Sequence, residues 1–119
     1  MRRDLGVVEP LKTYDPRHGP ALGLFDKSIY PTCRCPITAR DLILLFTDGL
    51  YEVDSPDQEE YGQERLLAAV RQRSGLPTDQ LFEELFRDVQ RFSNTTEFTD
   101  DVCLVGVEFQ PSQQTRLTE

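Results

Sequence analysis

The hydrophobic positions of the chain form two short continuous runs, separated by two longer stretches with helical spacing. Leu42–Phe46 is apolar at every position, and Val102–Val107 is interrupted only by Gly106. A short and continuously apolar run is typical of a β-strand that is buried on both faces. The pattern therefore predicts buried strands near 42–47 and 102–109.

The region between the two runs predicts two helices. Leu66, Leu67 and Val70 recur at helical spacing and predict a helix over 62–74, with Gly75 as a left-handed residue at its C-terminus. A second helix is predicted over 78–92, with Thr78 as its N-cap. Its apolar stripe is the strongest in the sequence and comprises Leu81, Phe82, Leu85, Phe86, Val89 and Phe92.

The first part of the chain has a weaker pattern. Val7–Leu11 predicts one short strand, and alternation over 28–35 predicts another, which Pro31 and Pro36 restrict to a sheet edge. Strands and helices in this order indicate an α+β fold. Because a strand buried on both faces needs a covering layer on each side, and two helices supply only one layer, we expect these residues to form part of a larger core.

The acidic composition narrows the classes of partner. The 119 residues carry 13 Lys and Arg against 21 Asp and Glu, which gives a formal net charge of −8. Binding to a nucleic-acid backbone or to an anionic membrane surface needs a basic face, so both classes are disfavoured. No apolar run approaches the roughly 20 residues that span a bilayer, and no apolar signal segment follows Met1. Three cysteines, an odd number, favour free thiols in a reducing compartment, so we expect a cytoplasmic protein.

Acidic residues stand at the ends of both apolar runs. Asp48 follows the first run, and Asp100 and Asp101 precede the second. If the two strands are neighbours, these carboxylates meet at one sheet edge, where their oxygens suit Mg²⁺ or Mn²⁺. Gly49 tolerates a positive φ, so Asp48-Gly49 favours a tight turn at the end of the first run. From spacing alone a structural alternative stays open, in which Asp48 forms a turn and Asp100 or Asp101 bonds backbone N–H groups.

A zinc site and a haloacid-dehalogenase-type active site agree less well with the sequence. Cys33, Cys35 and Cys103 offer three zinc ligands, but the first two are too closely spaced and the only spare ligand is His18 in a Pro/Gly loop. We therefore interpret the cysteines as buried thiols or strand-face residues, and His18 as a loop residue. A haloacid-dehalogenase-type site is rejected because its nucleophile position is occupied by Phe46.

Four segments in order resemble one known family. They are Gly19–Leu24, Asp41–Glu52, Tyr61–Leu66 and Thr99–Val105. Over about residues 5–109 the chain resembles the C-terminal half of the SpoIIE-like branch of the metal-dependent serine/threonine phosphatases, the PPM or protein phosphatase 2C superfamily. The resemblance implies part of an α/β/β/α sandwich, with residues 1–109 as the C-terminal portion of a phosphatase domain and 110–119 as a polar tail.

The resemblance also implies a function. Members of this branch are Mn²⁺- or Mg²⁺-dependent phosphoserine/phosphothreonine protein phosphatases of bacterial signalling, which act through a metal-activated water. By position, Asp48 and Asp100 match metal ligands of a two-ion site, and Gly49 and Asp101 match supporting residues. No further catalytic side chain is implied. The implied substrate is a phosphorylated, anti-anti-sigma-like regulatory protein, and the full-length protein is expected to carry a sensor domain or to dimerise.

The sequence departs from the family pattern in two places. The family's first metal motif, a Gly-Asp pair with further acids, belongs upstream of Gly19–Leu24, and Arg3 and Asp4 do not match it. Ala39–Asp41 stands where the family has a Pro-Gly-Asp turn. We therefore expect the N-terminal portion of the domain to be absent. Two hypotheses follow: an enzyme that is active with the missing half, or a catalytically inactive truncated module that binds a regulatory protein partner.

Overall fold

The secondary structure follows the predicted order of the strongest elements. A computed structural model describes residues 1–11 and 19–111 of the chain. Within these residues the fold is α+β with two helices, as predicted, and the two strands form one antiparallel sheet. The elements are a 3₁₀ turn at Arg3–Leu5, β1 at Leu42–Phe46, a second 3₁₀ turn at Asp48–Leu50, α1 at Gly62–Gln72, α2 at Thr78–Ser93 and β2 at Leu104–Glu108.

The two strands are direct neighbours although both helices separate them in sequence. Their register runs from Leu42 opposite Glu108 to Phe46 opposite Leu104. Because the pair is antiparallel, the C-terminal end of β1 and the N-terminal end of β2 lie at the same end of the sheet. This arrangement brings together the acidic residues that follow β1 and precede β2.

One face of the sheet packs on the helices. Leu81, Leu85 and Val89 of the predicted stripe are fully buried, which confirms the helical periodicity. A Cβ atom added to Gly106 of β2 would lie 2.7 Å from Cζ of Phe82. The absence of a side chain at Gly106 therefore lets α2 approach the sheet closely.

The opposite face of the sheet is open within the described residues, so these strands are buried on one face only, in agreement with the expectation that two helices supply one covering layer. Leu45, Val105 and Val107 on this face are 54%, 45% and 43% exposed. The apolar runs provide side chains suited to burial on both faces of the sheet, but the two helices cover one face only. The strand positions themselves agree with the prediction.

The two strands predicted near the N-terminus are also not formed. Val7 instead closes a short hairpin with Arg2 through two backbone hydrogen bonds, around the 3₁₀ turn Arg3–Leu5 and its left-handed C-cap Gly6. Residues 28–35 have no regular structure, and the side chain of Ile29 is 85% exposed. Apolar alternation alone did not make a strand there, because the prolines withhold backbone donors and no strand within 1–11 or 19–111 pairs with the segment.

The helix ends differ from the predicted caps. Thr78 is the first residue of α2 rather than its N-cap, since Pro77 precedes it in an extended conformation. The Thr78 hydroxyl accepts a hydrogen bond from Arg3 Nη2 at 2.7 Å and donates one to Glu108 Oε2 at 3.2 Å. Gly75 lies beyond the C-cap Arg73 and does not adopt a left-handed conformation. The side chain of Thr78 thus joins the N-terminus to β2 instead of capping its helix.

A tight turn leads into β1. The N–H of Thr38 donates to Asp41 Oδ2 at 2.9 Å, and this hydrogen bond is the main cause of the lowered pKa of the Asp41 carboxyl. Arg40 adopts a left-handed φ of +71°, at the position where the family pattern has glycine. The exposed side chain of Arg40 pairs with Asp4 at 3.1 Å. A non-glycine residue in this conformation costs about 1–2 kcal/mol.

Two sequence-based interpretations lie outside the described residues. His18 belongs to 12–18, and the predicted polar tail is described only as far as residue 111. In the described part of the chain, neither helix has the length and apolar character needed to cross a lipid bilayer.

Candidate metal centre

Asp48 stands at the C-terminal end of β1, where the chain leaves the sheet. Its exposed carboxylate accepts a hydrogen bond from the Gly49 N–H at 3.0 Å, through Oδ1. The main-chain carbonyl of Asp48 accepts hydrogen bonds from the N–H groups of Tyr51 and Glu52 at 2.9 and 2.8 Å. Leu50 in the same turn is fully buried. The turn is therefore anchored in the core while the carboxylate faces solvent.

Gly49 lies in direct contact with the segment that precedes β2. A Cβ atom at this position would lie 2.7 Å from the carbonyl oxygen of Asp101 and 3.4 Å from the carbonyl carbon of Asp100. No side chain fits in that space without displacing backbone. Its φ is not left-handed, so the expected reason for a glycine was wrong: the position needs glycine because two backbones meet there.

Thr47 joins the same two segments, and sequence reasoning missed it. Its hydroxyl donates a hydrogen bond to the carbonyl oxygen of Asp101 at 3.0 Å and accepts one from the N–H of Cys103 at 2.9 Å. Its own N–H donates to the carbonyl oxygen of Cys103 at 3.1 Å. A hydroxyl residue that ends an otherwise apolar run was the available signal, because such a side chain satisfies backbone groups where a ladder ends.

Asp100 and Asp101 are both exposed at the start of the second segment. Oδ1 of Asp100 accepts a hydrogen bond from the N–H of Asp101 at 2.7 Å. Asp48 and Asp100 thus each accept one hydrogen bond from a backbone N–H group. This is what the alternative predicts in which these residues only form turns. A carboxylate has about four lone-pair sites, so this bond leaves most of its acceptor capacity available to a cation.

The structure therefore brings the two predicted acidic segments together at one end of the sheet. Among the described residues, none of the ion pairs includes Asp48, Asp100 or Asp101. Neighbouring like charges without a basic partner produce a negative local potential that attracts cations. The described residues hold no group of three or more His, Cys, Asp and Glu side chains arranged for a metal ion. The described residues thus bring two acidic segments together without a complete set of metal-ligand side chains.

The cysteines do not assemble a second metal centre within the described residues. Cys33 is half-buried, whereas Cys35 and Cys103 are exposed. Of the two expected alternatives, buried thiol or strand-face residue, the first is therefore wrong for the last two, and Cys103 directly precedes β2. Cys35 lies in the irregular segment before β1, where the predicted strand is not formed.

A half-buried polar network that the sequence did not reveal joins α1 to α2. The Tyr61 hydroxyl donates to Asp88 Oδ2 at 2.6 Å, and Arg73 Nη2 donates to Asp88 Oδ1 at 2.9 Å. Burial, followed by the hydrogen bond to Asp88, raises the pKa of the Tyr61 hydroxyl above its usual range. Arg65 stacks over the ring of Phe92, with its Cζ 4.8 Å from the ring centroid. These contacts fix the helix layer behind the sheet.

Comparison with known proteins identifies one family. A family model described as Stage II sporulation protein E (SpoIIE) matches residues 6–110. No curated protein and no solved structure matches the chain. The matched range contains both acidic segments and Thr47.

Proposed function

This chain belongs to the SpoIIE family, and from that premise we propose that it is part of a PPM-type, metal-dependent phosphoserine/phosphothreonine protein phosphatase. Family membership makes it a phosphatase-related domain. One observation supports the finer assignment: the Gly49 turn is in backbone contact with Asp100 and Asp101. That contact puts the Asp48 and Asp100 carboxylates at the same end of the sheet. The complete α/β/β/α sandwich stays a prediction.

The residues present suit a hard divalent cation. Mg²⁺ in phosphoryl-transfer sites is held by one or two carboxylates together with waters and substrate phosphate, and Mn²⁺ also accepts carboxylate and water oxygens. We assign Asp48 and Asp100 as ligands of a shared ion in a two-ion site, with Asp101 and Gly49 in support. A bound Mn²⁺ or Mg²⁺ ion supplies Lewis acidity and lowers the pKa of a water molecule.

In this proposal the chain's own residues bind the cation and hold its carboxylate ligands in position. The Thr47 hydroxyl and the Gly49 contact hold the two acidic segments in a fixed relation, so the carboxylates need little reorganisation on binding. Three exposed carboxylates on a chain of net charge −8 repel a phosphate dianion. The same residues that would hold the cation therefore make phosphate binding depend on it.

The substrate proposal follows from the family. We propose a phosphorylated, anti-anti-sigma-like regulatory protein of bacterial signalling as the substrate, and the cytoplasm as the compartment. A sensor domain or a dimer in the full-length protein stays a prediction.

A second candidate function is a module that binds a regulatory protein without turnover. Two observations favour it: the described residues provide two ligands rather than a complete set, and one face of the sheet is open and apolar. Exposed apolar faces of this kind mark protein–protein contacts.

Phosphate release from a phosphoserine peptide distinguishes the two functions. We expect Mn²⁺-dependent release by the full-length gene product, and a loss of at least about 100-fold in Asp48→Asn, since changes outside the ligand shell already cost 10–100-fold. Asp57→Asn, an exposed acid in the loop 54–61, is the matched control and keeps full activity. Equal activity in wild type and Asp48→Asn would refute the phosphatase proposal. Partner capture by the isolated chain without Mn²⁺ or hydrolysis would support the binding module.

A further inference from the structure

A shallow cavity lies where α2 ends and the following loop begins, and its volume is about 700 Å³. Its walls are polar and are formed by Arg87, Gln90, Arg91, Asn94, Thr95 and Thr96. Two of these side chains carry a positive charge, and none is a carboxylate. On a chain of net charge −8, such a cavity concentrates positive potential and therefore suits an anion.

The two arginines are held in place by contacts along α2, and part of each guanidinium group stays available. Arg87 pairs with Glu83 at 3.4 Å and with Glu84 at 2.8 Å. Nε of Arg91 donates to the carbonyl oxygen of Arg87 at 3.2 Å, and its Nη2 lies 3.7 Å from Glu84 Oε2. A guanidinium group has five N–H donors, so both groups keep donors for a ligand. Neither glutamate lines the cavity.

The loop after α2 adds neutral donors to the same cavity. Asn94 ends the helix with a left-handed φ of +55°. Within 1–11 and 19–111, neither its side-chain amide nor the hydroxyl of Thr96 makes a hydrogen bond. Gln90 Nε2 donates to the carbonyl oxygen of Thr96 at 3.2 Å and so ties the loop to the helix. The cavity therefore has restrained walls with available donors on both the helix and the loop.

These donors fit a phosphoryl group better than a carboxylate. A phosphate monoester carries a charge of about −1.5 to −2 and three acceptor oxygens, and arginine binds such oxygens through charge-assisted hydrogen bonds. Two guanidinium groups match the charge of a dianion, whereas a carboxylate carries only half of it. The C-terminal end of a helix opposes an anion with about half an elementary charge, but the two full positive charges outweigh it.

We propose that this cavity binds a phosphoryl dianion. Arg87 and Arg91 pair with its charge, and Asn94 and Thr96 donate to its remaining oxygens. Both arginine side chains are more than half exposed, at 59% and 67%, so a phosphorylated side chain of another protein can reach them. Free phosphate offers the same chemistry. The residues of this cavity are separate from the carboxylates of the candidate metal centre, and the inference does not rest on phosphatase activity.

An NMR titration of the full chain in EDTA tests the site. The ligands are the peptide acetyl-Ala-phosphoserine-Ala-amide, its unphosphorylated form and inorganic phosphate, and the readout is the amide resonances of residues 94–96. We expect saturable shifts with the phosphopeptide and none with the unphosphorylated peptide. Tighter binding of the phosphopeptide identifies a phosphorylated protein as the source of the group, and equal or tighter binding of phosphate identifies the free anion. Both results support the site, and EDTA removes any contribution of divalent ions.

Two substitutions of equal charge supply the matched comparison. Arg91→Gln should weaken phosphopeptide binding about tenfold, since it removes charge-assisted hydrogen bonds to the ligand. Arg34→Gln removes one exposed positive charge from the irregular segment before β1 and should bind as wild type does. Thermal unfolding of both variants checks that the fold is kept. Unshifted resonances at 94–96, equal shifts with the unphosphorylated peptide, or equal weakening by the two substitutions would overturn the proposal.

Discussion

The carbonyl group of Asp101 occupies the space that a side chain at Gly49 would need, 2.7 Å from the position of its Cβ atom. The two residues are far apart in sequence, yet their contact holds the turn after β1 against the segment before β2. The relative position of the Asp48 and Asp100 carboxylates depends on that contact.

Gly49→Ala should destabilise the chain and weaken Mn²⁺ binding. The added methyl group meets backbone rather than a flexible side chain, and overpacking of this kind typically costs about 1–3 kcal/mol. Urea unfolding measures the free-energy change. Gly75→Ala is the control: no atom lies within 4 Å of its Cβ position and its φ is not left-handed, so it should be neutral or slightly stabilising. Equal effects of the two substitutions would contradict the role of the close approach.

Thr47→Val should loosen the two acidic segments while preserving the shape of the side chain. It removes the hydroxyl that donates to Asp101 and accepts from Cys103. We expect a loss of about 0.5–1.5 kcal/mol in stability and about tenfold in Mn²⁺ affinity. Thr47→Ser keeps the hydroxyl and should retain most of the affinity. A valine variant with wild-type Mn²⁺ affinity would show that the hydroxyl does not position the site.

Arg40→Gly should be more stable than Arg40→Ala. Both variants lose the exposed ion pair with Asp4, but only glycine relieves the left-handed φ of +71°. The difference between the two should be about 1 kcal/mol, the usual cost of a Cβ atom in that conformation. Thermal unfolding of the two variants measures it. Equal stabilities would show that the turn before β1 is not strained.

The stability of the fold should fall as the pH rises above about 10. The pKa of Tyr61 is raised in the folded chain, so above pH 10 its hydroxyl ionises in the unfolded state and stays protonated in the folded state. The unfolded state then binds fewer protons, and the free energy of unfolding decreases by up to about 1.4 kcal/mol per pH unit. Tyr61→Phe removes the ionisable hydroxyl and with it this part of the pH dependence of the free energy of unfolding. Parallel pH profiles for wild type and Tyr61→Phe would contradict the assignment.

The helices and strands were predictable because their signals are local. The apolar stripe from Leu81 to Phe92 predicts which side of one helix packs against the core. A continuous apolar run such as Leu42–Phe46 predicts a strand. The open face of the sheet agrees with the expectation that two helices supply only one covering layer, although which residues lie on that face, such as Leu45 and Val105, depends on the strand register. Residues 28–35 belong to no sheet in the described part of the chain, and a period-2 pattern does not reveal whether a strand partner exists.

Part of the site was predictable for the same reason. Asp48 and Asp100 stand at the ends of recognisable strands, so the antiparallel pairing of the strands brings their segments together. The contribution of Thr47 depends on a side-chain bond to a backbone carbonyl 54 residues away, which no local pattern encodes. The contact at Gly49 is also non-local, which explains why a turn-forming φ was the wrong reason for its glycine.

The most direct test of the metal centre is calorimetric titration of the full chain with Mn²⁺, for wild type, Asp48→Asn, Asp100→Asn and the double variant. We expect each single substitution to weaken binding at least about tenfold, and the double variant to lose less than the sum, because both carboxylates hold one ion. Asp57→Asn should bind as wild type does. A wild-type chain that binds no Mn²⁺, or single variants that bind with wild-type affinity, would contradict a shared ion at Asp48 and Asp100.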